Sequence, residues 1–159
     1  MKQLLERFNA CQEARDWVGD KTLEEAWNTC HRGDWMLWLY KRMYPDNLRE
    51  LTLAKGHCVN TVRHLMKDNR SLKAVDAAIA FGEGKINRAD AAAYVVAAYA
   101  AVYAAADAAY AASAAYAAYA AVDNVDAAYA TAAAYADDDA RKENQQMTAD
   151  ICRQYLKIV

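Results

Sequence analysis

Ala89-Asp90-Ala91-Ala92-Ala93-Tyr94-Val95-Val96-Ala97-Ala98-Tyr99-Ala100-Ala101-Val102-Tyr103-Ala104-Ala105-Ala106-Asp107 opens the stretch whose reading decides the fold. From residue 89 to residue 140 there are 29 Ala, eight Tyr, seven Asp and no Lys or Arg. Ala gives up the least freedom on entering a helix, so helix is predicted through this region. Asn87-Arg88-Ala89-Asp90 begins it with a capping side chain and an acid in the first turn, which complements the helix dipole. Asp123-Asn124 is the expected break, dividing the rest into two helices of about 30 residues, the first about 50 Å long at about 1.5 Å per residue. Helices whose contact face is Ala can approach closely. The prediction is an antiparallel Ala/Tyr-rich hairpin over about 87–157, with Tyr rings covering its sides.

Upstream, about 1–86, short helices with recognisable ends are predicted. Thr22-Leu23-Glu24-Glu25 fits a capping box, and Gly19-Asp20 before it suits the stop of a helix ending near Trp17-Val18. Gly33-Asp34 separates Ala26–Cys30 from Trp35–Tyr40, with Asp34 read as the N-cap. Tyr44-Pro45-Asp46-Asn47 is a turn, because proline fixes its own φ and restricts the residue before it. From Leu48 onward, Leu48, Leu51, Cys58, Val62, Leu65 and Met66 fall on one side of a single helix. Asn69-Arg70-Ser71 opens the next helix and Gly82-Glu83-Gly84 closes it. The fold class is all-α: one domain over 1–159, with a short-helix layer (1–88) packed on the Ala-rich hairpin (89–159).

Composition agrees with that class. Five Gly and one Pro in 159 residues are too few for a β-sandwich, which needs turn residues at regular intervals. Four Trp and eleven Tyr argue against a disordered chain. A formal net charge of −2 argues against a general nucleic-acid coat, so nucleic acid is not an expected partner. Charge is unevenly spread: residues 1–88 are net +3, 89–140 net −7 and 141–159 net +2. The longest uncharged run, 91–106, is mostly Ala and shorter than a membrane span, so no membrane is expected. Charges at Lys2, Glu6 and Arg7 do not suit a secretory leader, and the expected location is the cytoplasm. Cys11, Cys30, Cys58 and Cys152 lie far apart and read as reduced thiols.

The run Trp27-Asn28-Thr29-Cys30-His31-Arg32-Gly33-Asp34-Trp35-Met36-Leu37-Trp38 resembles a signature of small proteins encoded by bacteriophages. Val62-Arg63-His64-Leu65-Met66 and Asn69-Arg70-Ser71-Leu72-Lys73-Ala74-Val75 share that resemblance, as does the Ala/Tyr/Asp ending. Ser71 to Gly84, continuing into the Ala-rich region, is similar to the immunity-protein family that neutralises polymorphic toxins. Those relatives carry His and Arg among the Ala residues, where Tyr and Asp stand here. The resemblance implies an all-α fold and a binding or inhibitory role, and it brings no catalytic residues.

His57 and His64, seven apart, share a predicted helix face, but helical metal pairs sit four apart, so no metal or other cofactor is expected. Cys58 is beside His57, yet neighbouring helix positions diverge by about 100°, and no nucleophile–base pair or phosphate loop emerges. The chain is read as non-enzymatic. Asp137-Asp138-Asp139 reads as a solvated run within or just before the last helix. Trp27, Trp35, Trp38 and Tyr40 read as core, with Trp35 and Trp38 on one face.

Two constellations hold functional weight. His57, Asn60, His64 and Lys67, with Arg63 and Arg70 nearby, form a polar face suited to a phosphate or an acidic surface. Tyr99, Tyr103, Asp107, Tyr110, Tyr116 and Tyr119, with Asp123, Asp126 and Tyr129, form an acidic phenolic surface suited to a protein partner. The alternatives are a solvated helix face for the first and self-packing or a homo-oligomer contact for the second. The expectation is an immunity-type or phage counter-defence inhibitor that occludes a toxin or defence effector. Two further readings stand beside it: an oligomeric sponge for an anionic nucleotide signal, and a structural bundle or virion component.

Overall fold

A computed structural model describes residues 1–94, 131, 133, 135 and 137–158. Among them the chain is all-α, with no strand. In chain order the elements are α1 (Lys2–Arg7), α2 (Gln12–Val18), α3 (Leu23–Thr29), α4 (Gly33–Met43) and α5 (Leu48–Asn60). A 3₁₀ turn (Arg63–Leu65) and α6 (Asn69–Gly82) follow, residues 88–94 begin another helix, and α7 (Asp138–Tyr155) comes last.

Several ends follow the local chemistry. Thr22 and Glu25 complete a reciprocal capping box, with Glu25 N–H donating to Thr22 Oγ1 at 3.1 Å and Thr22 N–H to Glu25 Oε2 at 2.8 Å. Asn87 caps the helix at 88–94 by accepting from the Asp90 N–H at 2.9 Å. Gly19, at φ 51°, ends α2 in a conformation that only glycine adopts without strain.

Other ends differ from expectation. Asp34 is not the N-cap of α4, because Gly33 is already helical and Arg32 holds the cap position. The Asp34 carboxylate instead takes the Arg32 guanidinium in a two-pronged pair, at 2.9 and 2.7 Å. The helix from Leu48 does not continue to Met66. After Asn60 the backbone bonds shorten their span: Thr61 N–H reaches Cys58 O, Val62 N–H reaches Val59 O, and Leu65 N–H reaches Val62 O. The Thr61 hydroxyl also donates to Cys58 O at 2.7 Å, satisfying that terminal carbonyl. Val62 and Met66 stay buried all the same. Helix α6, by contrast, opens at Asn69 as expected, and Asp68 caps it by accepting from Arg70 N–H at 2.8 Å.

Of the expected hairpin, residues 95–130, including the Asp123-Asn124 break, lie outside the described residues. Residues 131 and 133 are helical, whereas 135 and 137 are not. The C-terminal arm is therefore interrupted before Asp138 rather than running unbroken to about 157. Asp137 causes the restart by accepting from the amides of Asp139 and Ala140 at 3.0 and 2.9 Å.

Two apolar clusters hold these helices together. One joins Val59, Val62 and Met66 to Ala74, Val75, Ala78 and Phe81 of α6, and to Ala91. The other gathers Leu5, Val18, Trp27, Met36, Leu37 and Tyr40 around Leu51, Ala54 and Cys58 of α5, with Ala149, Cys152 and Leu156 from the C-terminal end. Helix α5 serves both clusters. It runs antiparallel to α6 at close range: a Cβ on Gly56 would lie 2.9 Å from Ile79, and one on Gly82 would lie 2.5 Å from Leu53. Helix α7 packs on α4 and α5. Its Arg153 Nη1 donates to the Trp27 and Cys30 carbonyls at 3.1 and 2.8 Å, tying the end of α3 to α7.

Candidate functional site

The first four helices enclose a half-open, largely apolar cavity of about 510 Å³. It is built from short amphipathic segments, each too small to bury its apolar face alone. Leu5 of α1, Ala14, Trp17 and Val18 of α2, Ala26 and Trp27 of α3, and Trp35, Met36 and Trp38 of α4 line it. All four tryptophans of the chain are in its wall. Trp27 is buried, while Trp17, Trp35 and Trp38 are half-buried around the rim. The volume falls within the range in which proteins hold small ligands or partner side chains.

The rim indoles are braced from several sides. Trp17 and Trp35 lie 6.0 Å apart between centroids, and His31 stands 5.9 Å from the first and 6.3 Å from the second. Phe8 meets Trp38 edge-on at 6.4 Å. A cation lies over each rim indole: Lys21 Nζ is 4.7 Å from the Trp17 ring, Arg32 Cζ 4.6 Å from Trp35, and Arg42 Cζ 5.5 Å from Trp38. Arg32 is held by Asp34 and, at 3.4 Å, by Glu13, and its hydrogen bonds to Asp34 push its pKa further up. Polar groups within the lining are few: Asn9, Cys11, Cys30 and Asp34. Burial raises the Cys30 pKa, so this thiol remains protonated and weakly nucleophilic near neutral pH.

The polar face expected around His57 is not one helix face. His57 is half-buried and stacks on Tyr155 of α7, at 4.4 Å between centroids and 6° between planes. That burial lowers its pKa. Asn60 is exposed at the end of α5, His64 is exposed on the 3₁₀ turn, 6.4 Å from Tyr135, and Lys67 is exposed before α6. Both arginines have carboxylate partners. Arg63 forms a two-pronged pair with Asp76 at 2.6 and 3.1 Å, and Arg70 closes on Asp68 at 2.6 Å. The Arg70 bonds hold the Asp68 pKa down at about 2. The break after Asn60 separates His57 from His64, because the tighter turn rotates the following residues away from the helical register. Tyr99, Tyr103, Asp107, Tyr110, Tyr116 and Tyr119 lie outside the described residues, as do Asp123, Asp126 and Tyr129.

The tryptophans were read as core, and Trp17 was not singled out. The sequence did carry a signal for α4, since Arg42 follows Trp38 by four residues, a spacing at which side chains meet on a helix. Among the described residues no group of three His, Cys, Asp or Glu side chains is placed to hold a metal ion. Likewise, no described helix is long and apolar enough to cross a membrane. No protein-family model, curated protein or solved structure matches the chain.

Proposed function

We propose that the chain is a non-enzymatic binding protein of immunity or phage counter-defence type, which occludes a protein partner such as a toxin or defence effector. The observation that carries this reading is the indole-lined cavity, where an apolar side chain of the partner is seated. Trp and Arg anchored in desolvated pockets dominate the energetics of protein recognition, and here three half-buried indoles and Arg32 share one rim. Trp17, Trp35 and Arg32 are held by one another, and Trp38 by Phe8 and Arg42, before binding, which lowers the ordering cost of association. The nucleotide-sponge reading draws less support, because Arg63 and Arg70 already hold Asp76 and Asp68.

The test is affinity capture from the natural host with the wild-type chain and with Ala14→Leu, which adds three carbons to the cavity wall. A stoichiometric protein retained by the wild type and lost with Ala14→Leu, at unchanged Tm, supports the reading. Retention by both proteins, or turnover of any substrate that depends on a single side chain, removes it.

A further inference from the structure

The cavity's chemistry narrows the partner further, on the premise that it seats a partner side chain. Its interior offers apolar carbon and indole faces. Asp34, the one carboxylate in the lining, has both oxygens bonded to Arg32, so it is not free to attract a cation. The charged groups lying over the rim indoles are all cations: Lys21, Arg32 and Arg42. Arg42 forms no ion pair among the described residues, and neither does Arg7, whose guanidinium lies 5.0 Å over Phe8 beside Trp38. The Lys21 ammonium donates to Trp17 O at 2.8 Å and keeps two further N–H groups. Glu25 is close enough to Lys21 to feel its charge, but its carboxylate is turned to the Thr22 cap. Glu13 is engaged by Arg32.

We propose that the cavity takes an aromatic or aliphatic side chain flanked by Asp or Glu, so that the partner presents an acidic segment with an apolar anchor. The anchor fills the indole-lined space, and the flanking carboxylates meet Lys21 and Arg42 at the rim. A basic flank would place like charges beside these two side chains and is disfavoured.

Because every tryptophan of the chain lines the cavity, its own fluorescence reports occupancy. Two peptides without tryptophan, acetyl-Glu-Leu-Phe-Leu-Glu-amide and its Lys-for-Glu counterpart, are titrated at low ionic strength. The expected result is a Kd at least about tenfold lower for the acidic peptide, with the gap shrinking in about 1 M salt as screening shortens to about 3 Å. Lys21→Glu with Arg42→Glu should reverse the preference, and Ala14→Leu should weaken both peptides. Equal affinities, or tighter binding of the Lys peptide, overturn the acidic-partner inference and leave the seating of an apolar side chain standing. Failure of both peptides to change the emission at millimolar concentration overturns both.

Discussion

The Thr131 hydroxyl, contributed by the single threonine between residues 89 and 140, donates to Asn144 Oδ1 at 2.9 Å. Asn144 Nδ2 passes the chain on to Thr61 Oγ1 at 2.8 Å, and the Thr61 hydroxyl ends it on Cys58 O at 2.7 Å. Thr131 and Asn144 are fully buried and Thr61 is half-buried, so this polar thread joins the Ala-rich region, α7 and the end of α5, and water is excluded from its Thr131–Asn144 link.

Removing Asn144 therefore breaks two bonds at once, one buried and one half-buried. Each is worth about 0.5–1.5 kcal/mol net, so Asn144→Ala should lower unfolding stability in urea by about 2 kcal/mol. Thr131→Val should cost about 1 kcal/mol, and the double variant should cost less than the sum of the two. Strict additivity would mean that the pair does not act as a unit.

Gly33 lies where α4 crosses α7. A Cβ there would come 2.5 Å from Thr148 Oγ1 and 2.7 Å from the Thr148 carbonyl carbon. Gly33→Ala should destabilise by about 1–3 kcal/mol, the usual range for overpacking. Thr148→Ala should not restore the loss, because the backbone carbon remains in the way. A Tm equal to wild type for Gly33→Ala would contradict this packing.

Thiol reactivity should divide sharply. Cys11 is exposed, whereas Cys30, Cys58 and Cys152 are buried. Burial pushes the Cys152 pKa well above the ordinary thiol value, so thiolate is scarce as well as inaccessible. With a disulfide reagent under native conditions, one thiol should react within seconds to minutes and three only on unfolding. Cys11→Ser should abolish the fast phase; a second fast thiol would contradict the burial.

His57 gives the fold a pH dependence whose sign follows from burial. Its pKa is lowered in the folded state, so protonation favours the unfolded chain. The neutral ring's contribution is present above the unfolded value of about 6.5 and is lost as pH falls through it toward the folded value. Denaturant midpoints should decline as pH falls below about 6.5, and His57→Phe, which retains a ring to stack on Tyr155, should flatten that decline. An unchanged slope in the variant would place the titration elsewhere.

Local chemistry was the legible part of the fold. Thr22 and Glu25, Gly19, and Asn87 with Asp90 announce their roles because every atom they need lies within a few residues. Asp137-Asp138-Asp139 was likewise readable as the exposed start or approach of the last helix. Asp34 misled because a neighbour competed: Arg32 drew its carboxylate. The Leu48–Met66 periodicity overran its helix because Val62 and Met66 remain buried after the backbone changes geometry, and burial is what periodicity reports.

The candidate site was less legible. Apolar periodicity tells which side of each short helix turns inward, but not whether four such sides close completely or leave a space between them. Trp35 and Trp38 were recognised as sharing an inward face, whereas the opening among Trp17, Trp27, Trp35 and Trp38 depends on how α1 to α4 sit together. Arg63 and Arg70 looked like an anion site because their carboxylate partners, Asp76 and Asp68, sit on different geometric terms. Asp68 is two residues from Arg70, but Asp76 reaches Arg63 only after α6 folds back.

From its residue order alone the described part of this chain was committed to being helical, with particular caps. These are consequences of backbone preference and short-range hydrogen bonding, which act before any distant contact forms. The shape of the indole-lined space, the partial burial of His57 against Tyr155 and the thread from Thr131 to Cys58 were decided only in three dimensions. Each requires side chains far apart in the chain to meet, and that meeting is governed by how whole helices pack.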